Sequence, residues 1–165
     1  MPYVLRKINK AKWYKNINTS WLQEGELQAD VFSSDLGTQA NSLSVWYVDD
    51  DKSNLERIIA AYVAKQTHIA EFDYALIKLD FVEELSIKTQ KSLGDSADSI
   101  VNETWHRDFI ELTTLKLLNF AVTVQTNAEI KRISKKEVKT WLKNSFLANN
   151  LDSVGPEMLA EIKQL

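Results

Sequence analysis

The chain has 165 residues, 44% of them apolar and 26% charged, with a net charge of −3, a balance that supports a packed core and excludes a disordered polymer. Cysteine is absent, which removes disulfides, thiol nucleophiles and cysteine–zinc clusters together and suits a reducing cytoplasm. The scattered glycines (Gly25, Gly37, Gly94, Gly155) form neither a dinucleotide fingerprint nor a P-loop, and His68 with His106 alone writes no two-histidine zinc motif.

Residues 3–8 carry β-branched and aromatic side chains and read as a strand. The first fifteen residues hold five basic and no acidic side chains, with no apolar segment behind them, so no secretory signal is expected. Residues 16–51 then hold Glu24, Glu26, Asp30, Asp35, Asp49, Asp50 and Asp51 without a single Lys or Arg. Such a change of sign implies solvated faces, an intramolecular contact or a surface that steers a partner. Residues 27–32 fit strand or short helix equally, and 33–42 read as loop. Residues 43–48, Leu-Ser-Val-Trp-Tyr-Val, form the clearest strand.

The aspartates that follow, Asp49, Asp50 and Asp51, are the candidate metal ligands, because hard cations prefer carboxylate oxygens. An EF-hand register from Asp49 fails, with Asn54 at the glycine position and Ala60 at the glutamate position. Capping of the next helix explains the run instead. Ser53 and Glu56 have capping-box spacing, and Leu55, Ile58, Ile59, Tyr62 and Val63 make the inner face. The run Ile58–Ala64 is the longest apolar stretch, far short of a bilayer span. Residues 72–79 favour a strand, 80–85 a helical turn and 86–89 a short strand. The strand–helix–strand order across 43–79 allows a parallel crossover.

From Val101 apolar residues recur at Trp105, Phe109, Leu112, Leu115, Leu118 and Val122, in helical steps of three and four. With Ile110, Leu117 and Ala121 widening that stripe, a long central helix over 101–124 is predicted, buried on more than one side. It carries the one cluster suggestive of chemistry: Glu103, His106, Arg107 and Asp108. There His106 would carry a proton, Glu103 orient it and Arg107 hold an anion. The plainer reading is a core-edge histidine beside surface ion pairs. The letters His-Arg-Asp match the kinase catalytic loop by coincidence: no glycine-rich loop precedes them, and Thr113 stands where that loop needs Asn.

Residues 129–133 read as extended. Ser134 and Glu137 form a second capping box, opening a helix to about residue 148, and Gly155-Pro156 starts a last helix. Lys131, Arg132, Lys135, Lys136, Lys139 and Lys143 make a basic face with Trp141 near for stacking, the best argument for phosphate contact. A helix-turn-helix does not fit, since the link from Asn149 to Gly155 is too long and Glu157 and Glu161 sit on the final helix. A nuclease-like set can also be written from Glu129, Lys131 and Asp73.

The expected class is α+β: a small mixed sheet from the N-terminal two-thirds, packed against the central helix and a C-terminal helical pair. One domain over 1–165 is expected, strand-rich to residue 92 and helical from 93. The expected function is a non-catalytic, cytoplasmic, partner-binding accessory protein of a bacterial multi-component system, of toxin–antitoxin or anti-phage type. It rests on the separated charge blocks, the five tryptophans and the lack of a recognisable catalytic device. No cofactor and no membrane association are expected. The alternatives are a nucleic-acid-binding module using the 131–143 face and a small hydrolase or nuclease centred on His106.

Overall fold

The computed structural model describes residues 2–13, 21–23 and 26–165. In chain order they form β1 (Tyr3–Lys7), β2 (Leu43–Val48), α1 (Leu55–Val63), β3 (Phe72–Lys78), α2 (Leu79–Glu84), β4 (Lys88–Lys91), β5 (His106–Ile110), α3 (Thr114–Asn127), β6 (Glu129–Ile133), α4 (Lys135–Leu147) and α5 (Pro156–Lys163). Short turns at Lys10–Lys12 (3₁₀), Val31–Asp35 (π) and Val101–Trp105 (π) join them. The strands make one sheet in the order β4-β5-β2-β1-β3-β6.

The α+β class and the C-terminal helical pair are as expected. The sheet, however, is antiparallel at every pairing rather than mixed. The β2–α1–β3 crossover does form. Both strands oppose β1, so they run parallel to each other, but β1 lies between them and takes both ladders.

Both faces of the sheet are buried, because period-two alternation sends successive residues to opposite sides. Leu5, Trp46, Val48, Tyr74 and Leu76 join a cluster under α1, α4 and α5. Val4, Val45, Ala75, Ile77 and Phe109 join another under α3, Val82 of α2, Trp13 and the Val31–Leu36 turn.

The predicted long central helix is three separate pieces: the turn Val101–Trp105, strand β5 and helix α3. The four-residue spacing of Trp105 and Phe109 mimics a helix. The segment between them instead fills a slot between β2 and β4 and gains a ladder on each edge. Glu111, at a left-handed φ of 55°, ends the strand, and the Thr113 side chain accepts from the Lys116 amide to open α3. The sheet therefore draws β5 and β6 from the part expected to be helical, while the expected strand-rich part also contributes α1 and α2.

The two capping boxes part company. At α4, Ser134 accepts from the Glu137 amide and the Glu137 carboxylate accepts in return. At α1 the box does not form: the Ser53 amide donates to Asp51, and Asn54 takes the N-cap position. Among the described residues no helix is long and apolar enough to cross a membrane.

Candidate functional site

The candidate cluster at 103–108 is dispersed by the strand that contains it. His106 and Asp108 point to one face of β5 and Arg107 to the other, while Glu103 is exposed on the preceding turn. His106 is 5% exposed and stands edge-on to Trp46, with ring centroids 5.3 Å apart. Its Nδ1 lies 2.9 Å from Ser92 Oγ and 3.3 Å from the Ser92 carbonyl oxygen. Burial lowers its pKa below the ordinary value, against an opposing pull from Asp108. Asp108 accepts from Ser44 Oγ, and Arg107 donates to the Thr104 and His106 carbonyls while lying over the Tyr47 ring. Glu103 is not hydrogen-bonded to the imidazole, which packs at the edge of the core against Trp46 and Ser92.

The basic face at 131–143 is also divided. Lys131 and Arg132 are neighbours on β6 and face opposite sides of the sheet. Lys131 pairs with Glu129, and Arg132 makes a bidentate contact to Asp73 (2.7 and 2.9 Å) with a further bridge to Glu71. Lys143 donates to the Leu165 carbonyl, and Trp141 packs against the core beneath α1. Lys135, Lys136 and Lys139 complete the α4 surface, of which Lys139 is half-buried. The nuclease-like set fails for the same alternation: Asp73 faces the side of Arg132, whereas Glu129 and Lys131 face the side of Tyr74. Burial pushes the Asp73 carboxyl up, but bonds from Arg132 and the Lys10 amide outweigh it and hold the group low.

Asp49, Asp50 and Asp51 build a turn. The Asp49 carbonyl accepts from the Lys52 amide, Lys52 takes a φ of 60°, and Asp51 accepts from the Ser53 amide. Among the described residues no group of three or more His, Asp or Glu side chains could hold a metal ion.

Among the described residues the two charge blocks come together at Asp35. Asp35 is buried, and its carboxylate accepts from the Asn9 amide, the Trp13 indole N–H and Ser34 Oγ, at 2.8–2.9 Å. Its carbonyl accepts from Arg6 Nε at 2.7 Å. Glu24 and the 14–20 segment lie outside the described residues.

Two features emerge that the sequence reading placed elsewhere. The first is the outer face of α3. Phe120, Ala121 and Val124 turn inward to the sheet, while Leu115, Leu118 and Val122 stand 65%, 46% and 44% exposed. These last three belong to the stripe expected to be buried. Both sides of α3 are apolar, so periodicity alone chose the wrong one as the inner face. Lys116 is the only charged residue between Thr114 and Asn127. Of the five tryptophans, Trp13 and Trp46 are buried, Trp105 and Trp141 pack half-buried against the core, and Trp21 stands 68% exposed.

The second is a cleft of about 840 Å³ where β1 ends, bounded by the Ser34–Asp35 turn, the starts of β2 and β3, Tyr62 of α1 and Arg132. Arg6, Lys7 and Lys12 face it. No family model matches the chain, and neither a curated protein nor a solved structure matches it.

Proposed function

We propose that this is a non-catalytic partner-binding protein whose working surface is the outer face of α3. The observation that carries the reading is an amphipathic helix with a second apolar stripe: Leu115, Leu118 and Val122 exposed on a helix whose single charge is Lys116. A solvated helix face normally carries interspersed charges, whereas the centre of a protein interface is depleted in them. Three apolar side chains at helical spacing are the anchors of helix-in-groove and helix-on-helix recognition. The partner that fits is another protein presenting an uncharged apolar helix or groove, with a carboxylate placed to meet Lys116. The accessory role in a bacterial multi-component system belongs to the same proposal. The dispersal of Glu103, His106, Arg107 and Asp108, together with the divided basic face, favours this reading over catalysis and nucleic-acid binding.

Leu118→Glu tests it. That substitution places a charge on the stripe without touching the sheet-facing side. A specific partner retained by the wild-type chain should be lost, with binding weakened about a hundredfold or more, as expected for a buried unpaired charge. The paired variant Lys135→Gln/Lys139→Gln should retain that partner fully. Equal retention by Leu118→Glu would overturn the proposal. A light-scattering mass that is dimeric for wild type and monomeric for Leu118→Glu would replace the foreign partner with a second copy.

A further inference from the structure

The cleft at the end of β1 is a second candidate site, independent of α3, and its walls are chemically lopsided. Arg6 is half-buried, and its hydrogen bonds at 2.7 Å go to two neutral acceptors, the carbonyls of Asp35 and Ser44. Lys12 Nζ donates to Ser34 Oγ, and Lys7 Nζ lies 5.2 Å from the centroid of the Tyr62 ring. Among the described residues none of these three cations makes an ion pair with a carboxylate. The carboxylates of the same cleft are already occupied: Asp35 by Asn9, Trp13 and Ser34, and Asp73 and Glu71 by Arg132.

A half-buried guanidinium bonded to carbonyls has what desolvation cost it carries only partly offset, because backbone carbonyls return dipoles rather than a charge. Burial accordingly lowers the Arg6 pKa, while Tyr62 and Asp35 act to raise it. Trp46 also lines the cleft, with its indole N–H buried away from solvent. The volume falls within the roughly 300–1,000 Å³ of small-molecule sites. The aromatic rings of Tyr62 and Trp46 supply an apolar side to a cavity whose other side is cationic.

We propose that this cleft binds a small molecule carrying a phosphate or carboxylate group, with the oxyanion between Arg6 and Lys12 and the remainder reaching the Lys7–Tyr62 side of the cleft. Arginine and lysine recognise both groups through charge-assisted hydrogen bonds, so the shared chemistry is the oxyanion. Calorimetric titration of the full chain at low salt with pyrophosphate, AMP and citrate separates the two sources. Saturable binding of pyrophosphate or AMP assigns a phosphate, and binding of citrate alone a carboxylate. AMP binding more tightly than pyrophosphate adds the aromatic wall to the site.

Lys12→Gln should weaken the best of these ligands about tenfold, corresponding to one charge-assisted hydrogen bond, and Lys7→Gln should weaken by a smaller factor only those ligands that also reach the Tyr62 side. Both side chains project from the end of β1 and the turn after it, so these variants keep the test independent of folding. Arg6→Gln, which also removes two structural hydrogen bonds, is a supporting variant only where its far-ultraviolet spectrum is unchanged. Absence of saturable binding by all three probes overturns the proposal. So does an equal loss in Lys135→Gln/Lys139→Gln, which would reduce the effect to diffuse electrostatics.

Discussion

At the scale of single residues, His106 is held by tight packing on all sides that the described residues provide, against Trp46 and the 92–98 loop. The chain folds the 92–98 loop over it so closely that a Cβ on Gly94 would lie 3.0 Å from the His106 Cβ and Cγ and 2.9 Å from Asn102 Oδ1. Gly94→Ala should therefore destabilise the protein by about 1–3 kcal/mol, measured by chemical denaturation. Because the folded pKa of His106 lies below its ordinary value, the unfolded chain binds the extra proton first. The neutral imidazole's contribution is complete above the unfolded pKa and is lost as pH falls towards the folded one. The melting temperature should accordingly fall as pH drops below the ordinary imidazole value of about 6.5, before the carboxylates themselves titrate. His106→Leu should flatten that fall. An unchanged slope would show that the imidazole is not its source. Arg107, Asp108 and Ser92 are the groups that face this ring or flank it and tune the transition.

At the scale of elements, α3 separates structural burial from available surface within one helix. Phe120 is wholly buried and meets Phe109 edge-on at 5.3 Å, whereas Leu118 is 46% exposed. Phe120→Ala should cost about 3–5 kcal/mol by transfer and cavity terms together. Leu118→Ala should stay within about 0.5 kcal/mol of wild type, as surface substitutions do. Comparable losses at the two positions would mean that the outer stripe is covered in the isolated chain. The two capping boxes make a companion point about legibility. Ser134 and Glu137 behave as their spacing predicts because nothing competes for them. Ser53 and Glu56 have the same spacing and fail because the Asp49–Asp51 turn already holds the Ser53 amide and Asn54.

At the scale of the whole molecule, the layers are tied across the sheet's first face by Asp98. It is 1% exposed, receives Arg57 Nε at 2.6 Å from α1, and caps the Ile100 and Val101 amides that open the turn before β5. The loop around it is also bonded to the α4–α5 link, through Ala97 to Asp152 and Ser99 to Asp152. Removing one partner of a pair so placed leaves the other uncompensated. Asp98→Ala should thus cost about 3 kcal/mol or more, with hydrogen exchange in residues 95–105 rising before that of β1 and β3. A loss confined to a few tenths would place this contact among ordinary surface ion pairs.

The sequence by itself determined those elements whose signal is local. The 43–48 strand, the capped α4 helix, the proline-started α5 and the α+β class follow from alternation, capping chemistry and composition. The outward face of α3, the strand within 106–110 and the cationic cleft depended on which segments met. Two apolar faces on one helix look alike along the chain, and a four-residue apolar spacing fits a turn of helix as well as a β5 slotted between two ladders. In the sequence Arg6, Lys7 and Lys12 belong to a basic block that reads first as a solvated face; the end of β1, the Asp35 turn and Tyr62 bring them to the walls of one cleft. That convergence is a long-range contact, and no periodicity in the chain encodes it.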